Sequence, residues 1–311
     1  SATPAFARRA PAPSPTPVPT PLPTETPLSE ELRLERLPHR LEAIAQNAPG
    51  TLGVSVHDLY RDTHVAVRGD RPFPLADVFK LAVAVTAFRL ADAHKIGLDT
   101  QILITAADLR HGTSPIAEAH PRGNVTLPTW QLVRAMLVDS DNTACDAVLA
   151  AVGGPAVVQN TMTDLGIAGW HVSRTEADLY ADAEAKRTFA HGGDNGGTPD
   201  GVVALLTAIA TQRALFLDTT NELLLALGDT RTGANRLHAG LPATARLAHK
   251  TGTSYTIDGI VGATNDAGIV TLPDGRRVIV VAFLADSTAA DDAREAVLAS
   301  VARAVYETYV A

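Results

Sequence analysis

The 311-residue sequence predicts an α+β fold, in which an antiparallel sheet flanked by helices is joined to an all-helical lobe. Three observations support this prediction. Strand patterns occur near both ends of the globular part, helical patterns fill the middle, and no internal repeat interrupts this order. If the sequence-remote strands pair in one sheet, the helical insertion lies beside that sheet, and a cleft between the lobes is the natural place for a site.

Residues 1–29 differ in composition from the rest of the chain, because nine prolines alternate there with alanine, threonine and serine. Such a leader favours extended polyproline II structure and cannot bury a core. We interpret it as a spacer that tethers an exported domain, periplasmic or extracellular, away from a membrane or wall; an unstructured tail without a role is the alternative. The globular domain is expected over residues 30–311, with an α/β lobe at 30–75 and 240–311 and a helical lobe at 76–239.

The first predicted elements are a helix and a hairpin. Ser29-Glu30-Glu31 is typical of a helix start, and apolar residues recur at helical spacing from Leu37 to Ala45 until Pro49-Gly50. Alternating apolar residues at 52–56 and 65–67, on either side of a turn at Arg61-Asp62, then predict a β-hairpin.

The middle of the chain predicts helices and the end predicts strands. Helical patterns cover 78–94, 128–138, 142–151, 155–165, 199–211 and 218–227. Segments 259–271 and 276–285 are rich in valine and isoleucine, and Pro273-Asp274-Gly275 between them is a hairpin signal. The last segment, from Asp291 to Tyr309, has the apolar stripe of an amphipathic helix.

Three short motifs occur within this framework. The first is Asp77-Val78-Phe79-Lys80 at a predicted helix start, the second is Ser140-Asp141-Asn142, and the third is Lys250-Thr251-Gly252-Thr253 at the head of a strand pattern. Alone, Ser-Asp-Asn is usually a helix cap and Lys-Thr-Gly a turn. Their order, spacing and strand–helix–strand context make coincidence improbable, and together they indicate a catalytic site.

With Ser-x-x-Lys as the first motif, this set resembles that of class A serine β-lactamases, which belong to the penicillin-recognising serine hydrolases. The resemblance covers residues 30–311 and implies the β-lactamase/transpeptidase-like fold. It also implies hydrolysis of the β-lactam amide through a serine acyl-enzyme. In this chain, however, Asp77 occupies the position of the nucleophilic serine.

The resemblance assigns roles to the other motif residues. Lys80 would move protons beside the nucleophile position, Ser140 would relay a proton to the lactam nitrogen, and Asn142 would bind the substrate's side-chain amide. Lys250 would polarise Ser140 and attract the substrate carboxylate. Backbone N–H groups of residue 77 and Thr253 would form the oxyanion hole. Thr251 and Gly252 of the third motif complete the expected substrate-binding set.

Two further residues match family patterns. The loop Ser173 to Asp182 is similar to that of a class A subgroup in which Glu176 would activate the deacylating water, although Tyr180 stands where the commoner pattern has asparagine. Arg236, fourteen residues before Lys250, resembles an arginine that binds the substrate carboxylate in a bidentate manner. An exposed loop acid and a surface arginine are the respective alternatives.

Asp77 should suppress the reaction that this site otherwise suits. A carboxylate is a weak nucleophile toward an amide, and its attack would give a mixed anhydride instead of an ester. The helix start and Lys80 both favour the ionised form of Asp77, which in turn keeps Lys80 protonated and unable to accept a proton. The new carboxylate would also occupy the oxyanion hole or repel an anionic substrate.

We therefore expect a β-lactamase-like protein whose hydrolysis is abolished or strongly impaired. The alternatives are a non-catalytic module that binds β-lactam or peptidoglycan-like ligands and, third, an unusual hydrolase that uses Asp77. A formal net charge of −8 without a basic run argues against nucleic acid as a partner. No apolar run is long enough for a membrane span, and the single cysteine excludes an intrachain disulfide. We expect a monomer without a metal or cofactor.

Overall fold

The computed structural model describes residues 28–190 and 194–310. Most of the predicted leader, residues 1–27, lies outside the described residues. In chain order the strands are β1 (Thr51–Asp58), β2 (Thr63–Val67), β3 (Phe73–Pro74), β4 (Gln101–Ile104), β5 (Val125–Pro128), β6 (Trp170–His171), β7 (Gly196–Gly197), β8 (Arg246–Thr253), β9 (Thr256–Ile257), β10 (Ile260–Thr271) and β11 (Arg277–Ser287).

The helices alternate with these strands and fill the middle of the chain. They are α1 (Glu30–Gln46), α2 (Lys80–Asp92), α3 (Pro115–Ala119), α4 (Thr129–Val138), α5 (Asn142–Val152), α6 (Pro155–Asp164), α7 (Glu176–Leu179), α8 (Ala183–Ala190), α9 (Pro199–Ala210), α10 (Leu217–Gly228) and α11 (Asp291–Tyr309). Short 3-10 turns occupy Ala76–Phe79, Ala106–Asp108 and Leu237–Gly240.

The main sheet joins strands from both ends of the chain, as the sequence predicts. Its order is β2-β1-β11-β10-β8, every neighbouring pair is antiparallel, and β9 adds to β10. The predicted hairpin turn between β10 and β11 contains Gly275 at φ +87°, a left-handed conformation that suits glycine. Strand β8 lies at the edge of the sheet, so one side of it is free to form cavity walls.

The sheet separates two apolar cores. One face packs on α1 and α11 through residues such as Leu41, Val280 and Val301. The other face meets the helical part of the chain, where residues 80–88 of α2 are all buried. A helix that is buried all round is a rigid central element, and its first residue is Lys80. The α+β prediction is confirmed.

Some local elements differ from the sequence patterns. The helix predicted from residue 78 begins as a 3-10 turn, and α2 starts at Lys80. The hairpin of β4 and β5 and the small sheet β3-β7-β6 have no clear sequence signal, because their strands are short and, in the second case, far apart in the chain. Within residues 28–190 and 194–310, no helix has the length and apolar character that a membrane crossing requires.

Candidate active site

The predicted site residues gather around one cavity of about 150 Å³ between the sheet and the helical part of the chain. Those that line the cavity are Asp77, Ser140, Asn142, Glu176, Arg236, Thr251 and Thr253. Lys80 and Lys250 are fully buried behind this lining. Gly252 packs against the backbone of Asp77, because a Cβ placed on it would lie 2.8 Å from the Asp77 nitrogen.

Lys80 contacts four other residues of the candidate site. Its Nζ lies 2.7 Å from Asp77 Oδ1 and 3.1 Å from Glu176 Oε1, so that two carboxylates flank one ammonium. The same Nζ donates hydrogen bonds to the Ser140 carbonyl at 2.8 Å and to Asn142 Oδ1 at 2.6 Å. Burial alone would lower the pKa of Lys80, but the charges of Asp77 and Glu176 outweigh it and raise that pKa above its usual range.

The backbone aims residue 77 into the cavity. Ala76 has φ +45°, in the left-handed region that non-glycine residues rarely adopt, and the 3-10 turn that follows leads into α2. Asp77 and Lys80 are therefore three residues apart at a helix start and share one face. Such local strain at a cavity wall is typical of functional sites.

Ser140 and Asn142 are placed by the start of α5. Ser140 has φ +61°, and Asp141 caps the helix by accepting a hydrogen bond from the Ala144 N–H at 2.8 Å. The amide of Asn142 is fully engaged, because its Nδ2 donates to the His111 carbonyl at 2.8 Å and to the Tyr180 hydroxyl at 3.3 Å. Asn142 thus ties α5 to Lys80 on one side and to the loop around Tyr180 on the other.

Lys250 reaches Ser140 from the edge strand. Its Nζ donates to Ser140 Oγ at 2.8 Å and to the Thr251 carbonyl at 2.9 Å. Burial lowers the pKa of Lys250 to about 8, against the opposing effect of the Asp77 charge. Lys250 is therefore a cation near neutral pH that can give up its proton more readily than an ordinary lysine.

The two carboxylates around Lys80 differ in their titration. Burial opposes ionisation of Asp77, but the charges of Lys80 and Lys250 and hydrogen bonds from Lys80 and Ser140 outweigh it, so its pKa falls. Burial raises the pKa of Glu176 to about 7, and the negative charge of Asp77 adds to the rise. Near neutral pH, Asp77 holds the negative charge beside Lys80 while Glu176 is poised to take up a proton.

Glu176 is held by a buried aspartate that lies outside the three sequence motifs. Asp146, one turn after Asn142 on α5, accepts hydrogen bonds from the Glu176 N–H at 2.7 Å and the Ala177 N–H at 3.0 Å. Arg110 Nε pairs with the same carboxylate at 2.5 Å. An acid four residues after a motif residue on one helix face is the sequence signal that could have found it.

Arg236 turns its guanidinium inward. It donates to the carbonyls of Gly252 at 3.1 Å and Asn265 at 2.9 Å, and to Thr253 Oγ1 at 2.6 Å. Its Nε forms an ion pair with Glu295 of α11 at 3.0 Å. Because all three nitrogens are engaged, Arg236 fixes the end of β8 and supports the Thr253 hydroxyl that faces the cavity.

Tyr180 forms part of the cavity wall at the Glu176 end. Its ring makes an edge-on contact with Tyr255, with ring centroids 4.9 Å apart and planes at 82°. Gly112, at φ +78°, leaves room for the Tyr180 hydroxyl, since a Cβ there would lie 2.2 Å from it. The other lining residues outside the predicted set are Ala76, Phe79, Thr113, Thr232 and Gly233. Over residues 28–190 and 194–310, no group of His, Cys, Asp or Glu side chains could hold a metal ion.

Comparisons with known proteins agree on one family. The model of the beta-lactamase enzyme family matches residues 36–309. The chain is similar to the extended-spectrum beta-lactamase PER-1 of Pseudomonas aeruginosa, at 32% identity over 87% of this chain and 86% of that protein. It is also similar to a beta-lactamase of Bacteroides uniformis, at 32% identity over 88% of this chain and 92% of that protein.

Solved structures show the same likeness. The crystal structure of a beta-lactamase from Chitinophaga pinensis superimposes with a TM-score of 0.82 at 34% identity, covering 87% of this chain and 98% of that chain. The crystal structure of the TLA-3 extended-spectrum beta-lactamase gives a TM-score of 0.84 at 28% identity, covering 89% and 99%. The similarity therefore spans the sheet, the helices and the cavity between them.

Proposed function

This chain belongs to the beta-lactamase enzyme family and has its class A fold, and from that premise we propose that it keeps the family's ligand site but has lost most or all β-lactam hydrolysis. In this proposal Asp77 stands at the position of the nucleophilic serine. The observation that carries it is the ion pair of 2.7 Å between the fully buried Lys80 and Asp77, whose side chain is 25% exposed.

The ion pair leaves acyl transfer without an effective nucleophile and without a base. The Asp77 carboxylate is a poor nucleophile toward an amide, and its attack would produce a mixed anhydride that is less stable than an ester. Lys80 carries its full complement of protons, because its pKa is raised, and a protonated lysine cannot act as a base. Glu176 alone does not restore the reaction, since it has no acyl-enzyme to hydrolyse.

The side chains that would bind an anionic β-lactam remain in place. Lys250 is a buried cation behind Ser140, and the Thr251 and Thr253 hydroxyls face the cavity at the end of β8. Arg236 supports Thr253 by a hydrogen bond of 2.6 Å, while Glu295 balances its charge. We assign the substrate carboxylate to this group, with Arg236 acting mainly through Thr253.

The test compares this chain with Asp77→Ser and Asp77→Asn. We expect Asp77→Ser to raise nitrocefin hydrolysis by at least about 1,000-fold and to give a covalent adduct with a penicillin in intact-mass measurements. Asp77→Asn is the matched control, because it removes the charge without supplying a hydroxyl, and it should remain inactive. Robust turnover by the unchanged chain that is lost in Asp77→Asn would refute the proposal and show that Asp77 is itself the nucleophile or base.

A second candidate is a binding module for β-lactam or peptidoglycan-like ligands without covalent chemistry. It is favoured by the intact set of hydrogen bonds around Asn142, Lys250 and Arg236, which preserves the cavity although its reaction is blocked. If neither this chain nor Asp77→Ser reacts, but a penicillin raises the melting temperature of both, the binding module is the correct function.

A further inference from the structure

A second and much larger cavity lies along the first half of the edge strand. It has a volume of about 1,210 Å³ and shares none of the described lining residues of the active-site cavity. It runs around the edge of the sheet at Arg246–His249 of β8, between α10 and the chain at 238–245. We refer to it as the β8 groove. Its size exceeds the volume that a drug-sized ligand usually occupies.

Two arginines stand together at one end of the β8 groove. Arg246 and Arg277 are the register partners of Thr271 on its two neighbouring strands. Opposed residues of antiparallel strands project to the same face, so both side chains leave one face of the sheet about 10 Å apart at their backbones. Two flexible guanidinium groups at this separation can converge on a single anion.

Neither arginine has an ion-pair or side-chain hydrogen-bond partner among residues 28–190 and 194–310. The next residue, Arg276, differs sharply, since it forms ion pairs with Glu30 at 2.7 Å and with Asp274 at 2.6 Å. Asp229 is the acid that lines the groove, and its carboxylate is already paired with Arg134. The groove therefore presents unneutralised positive charge on a chain whose formal net charge is −8.

One wall of the same groove is apolar. Leu224 and Leu225 line it from α10, and Leu225 is 61% exposed although it is a large aliphatic residue. Leu241 and Leu247 line the part of the groove beyond the edge of the sheet, because Leu247 follows Arg246 on the strand and projects to the opposite face. An open aliphatic surface next to two free guanidinium groups matches a ligand with an apolar body and one anionic end.

We propose that the β8 groove binds a small amphipathic carboxylate, such as a medium-chain fatty acid, independently of the active-site cavity. The carboxylate lies between Arg246 and Arg277, and the apolar body lies along Leu224 and Leu225 of α10. Charge-assisted hydrogen bonds give the orientation, and burial of the aliphatic chain gives most of the affinity.

Isothermal titration of the full chain with octanoate below its micelle concentration tests the proposal. We expect saturable binding at one site, and binding at least tenfold weaker in the double variant Arg246→Gln/Arg277→Gln. The matched control is Arg36→Gln/Arg303→Gln, which changes the net charge equally at exposed positions outside the groove and should bind octanoate like the unchanged chain. Octan-1-ol, which has the same apolar body without the charge, should bind more weakly.

Four outcomes would overturn the proposal. They are the absence of saturable octanoate binding, an equal loss of affinity in the control variant, equal affinities for octanoate and octan-1-ol, and cosedimentation with anionic phosphatidylglycerol vesicles in place of binding to free octanoate. The last outcome would assign the arginines to a lipid surface. Circular dichroism melting of both double variants separates a loss of binding from a loss of folding.

Discussion

The two ends of strand β8 line different cavities, and the charged side chain is buried at one end and exposed at the other. At the end that carries Thr251 and Thr253, Lys250 is fully buried and bonded to Ser140, and the neighbouring cavity is small. At the start of the strand, Arg246 is exposed without an ion-pair partner in the described part of the chain and borders a cavity about eight times larger. A buried charge is costly unless protein groups pair with it or hydrogen-bond to it, whereas an exposed charge is solvated by water and can still bind a ligand.

This difference accounts for the linked titration of the groups around Lys80. Asp77 and Glu176 share the buried Lys80, so the charge of Asp77 raises the pKa of both Lys80 and Glu176. The same acid near Arg246 would be screened by water and would change little beyond one surface pair. The following four predictions test this contrast, in order of decreasing expected effect.

Lys80→Met should destabilise the fold by about 3–5 kcal/mol, because it leaves the buried carboxylate of Glu176 and the partly buried carboxylate of Asp77 without their shared cation. Urea denaturation at pH 7.5 measures the free energy of unfolding. Lys95→Met, at an exposed position after α2, is the control and should change this free energy by less than about 0.5 kcal/mol. Similar losses of unfolding free energy in both variants would show that the ion pairs of Lys80 do not stabilise the fold.

Arg236→Ala and Arg246→Ala compare the two ends of the strand directly. Removing Arg236 leaves the Gly252 and Asn265 carbonyls and Glu295 without their donor, so we expect a loss of about 2–4 kcal/mol in unfolding free energy. Removing Arg246 should cost less than about 0.5 kcal/mol, because it has no internal partner to lose. The same urea titrations measure both values, and equal losses would contradict the contrast.

Glu176 should make the fold less stable as pH rises. Its folded pKa of about 7 lies above the ordinary value of 4.5, so its stabilising contribution is complete below about pH 4.5 and is lost as pH rises through 7. We expect the free energy of unfolding to fall between pH 5 and pH 8 by roughly 1–3 kcal/mol more in this chain than in Glu176→Gln. Glu35→Gln, an exposed change on α1, should leave the pH dependence as it is.

Tyr180→Phe should have the smallest effect, about 1 kcal/mol, because it removes only the neutral hydrogen bonds with Asn142 and Tyr255 and keeps the ring contact with Tyr255. Thermal denaturation is sensitive enough to detect the shift. Tyr60→Phe, at a side chain that is 74% exposed, is the control and should be neutral. A larger loss than in Arg236→Ala would show that the Tyr180 hydroxyl, and not the buried ions, organises the site.

The strands of the main sheet, the large helices and the motifs of the candidate site could be predicted from the sequence because their signals are local. Alternating valines predicted β1 and β2, the Pro-Asp-Gly turn predicted the hairpin of β10 and β11, and the three-residue spacing placed Asp77 beside Lys80. Each of these features depends on residues that are close in the chain, so it can be predicted from one short segment of the sequence.

Other features depend on contacts between distant residues and could not be predicted in this way. Arg236 was interpreted as a ligand for substrate, but its partners on β10 and α11 become visible only in the folded chain. Asp146 belongs to α5 yet holds the backbone of Glu176 thirty residues later. The β8 groove joins three parts of the chain, and no motif marks such a surface.

Gly252 has no side chain at the point where β8 approaches the turn before α2. A Cβ there would meet the Asp77 nitrogen at 2.8 Å and the Leu75 carbonyl oxygen at 2.9 Å, so the edge strand and the turn before α2 touch through bare backbone. A methyl group at this position would therefore push the strand and the turn apart. The distance between β8 and the turn before α2 thus depends on the absence of a side chain at residue 252.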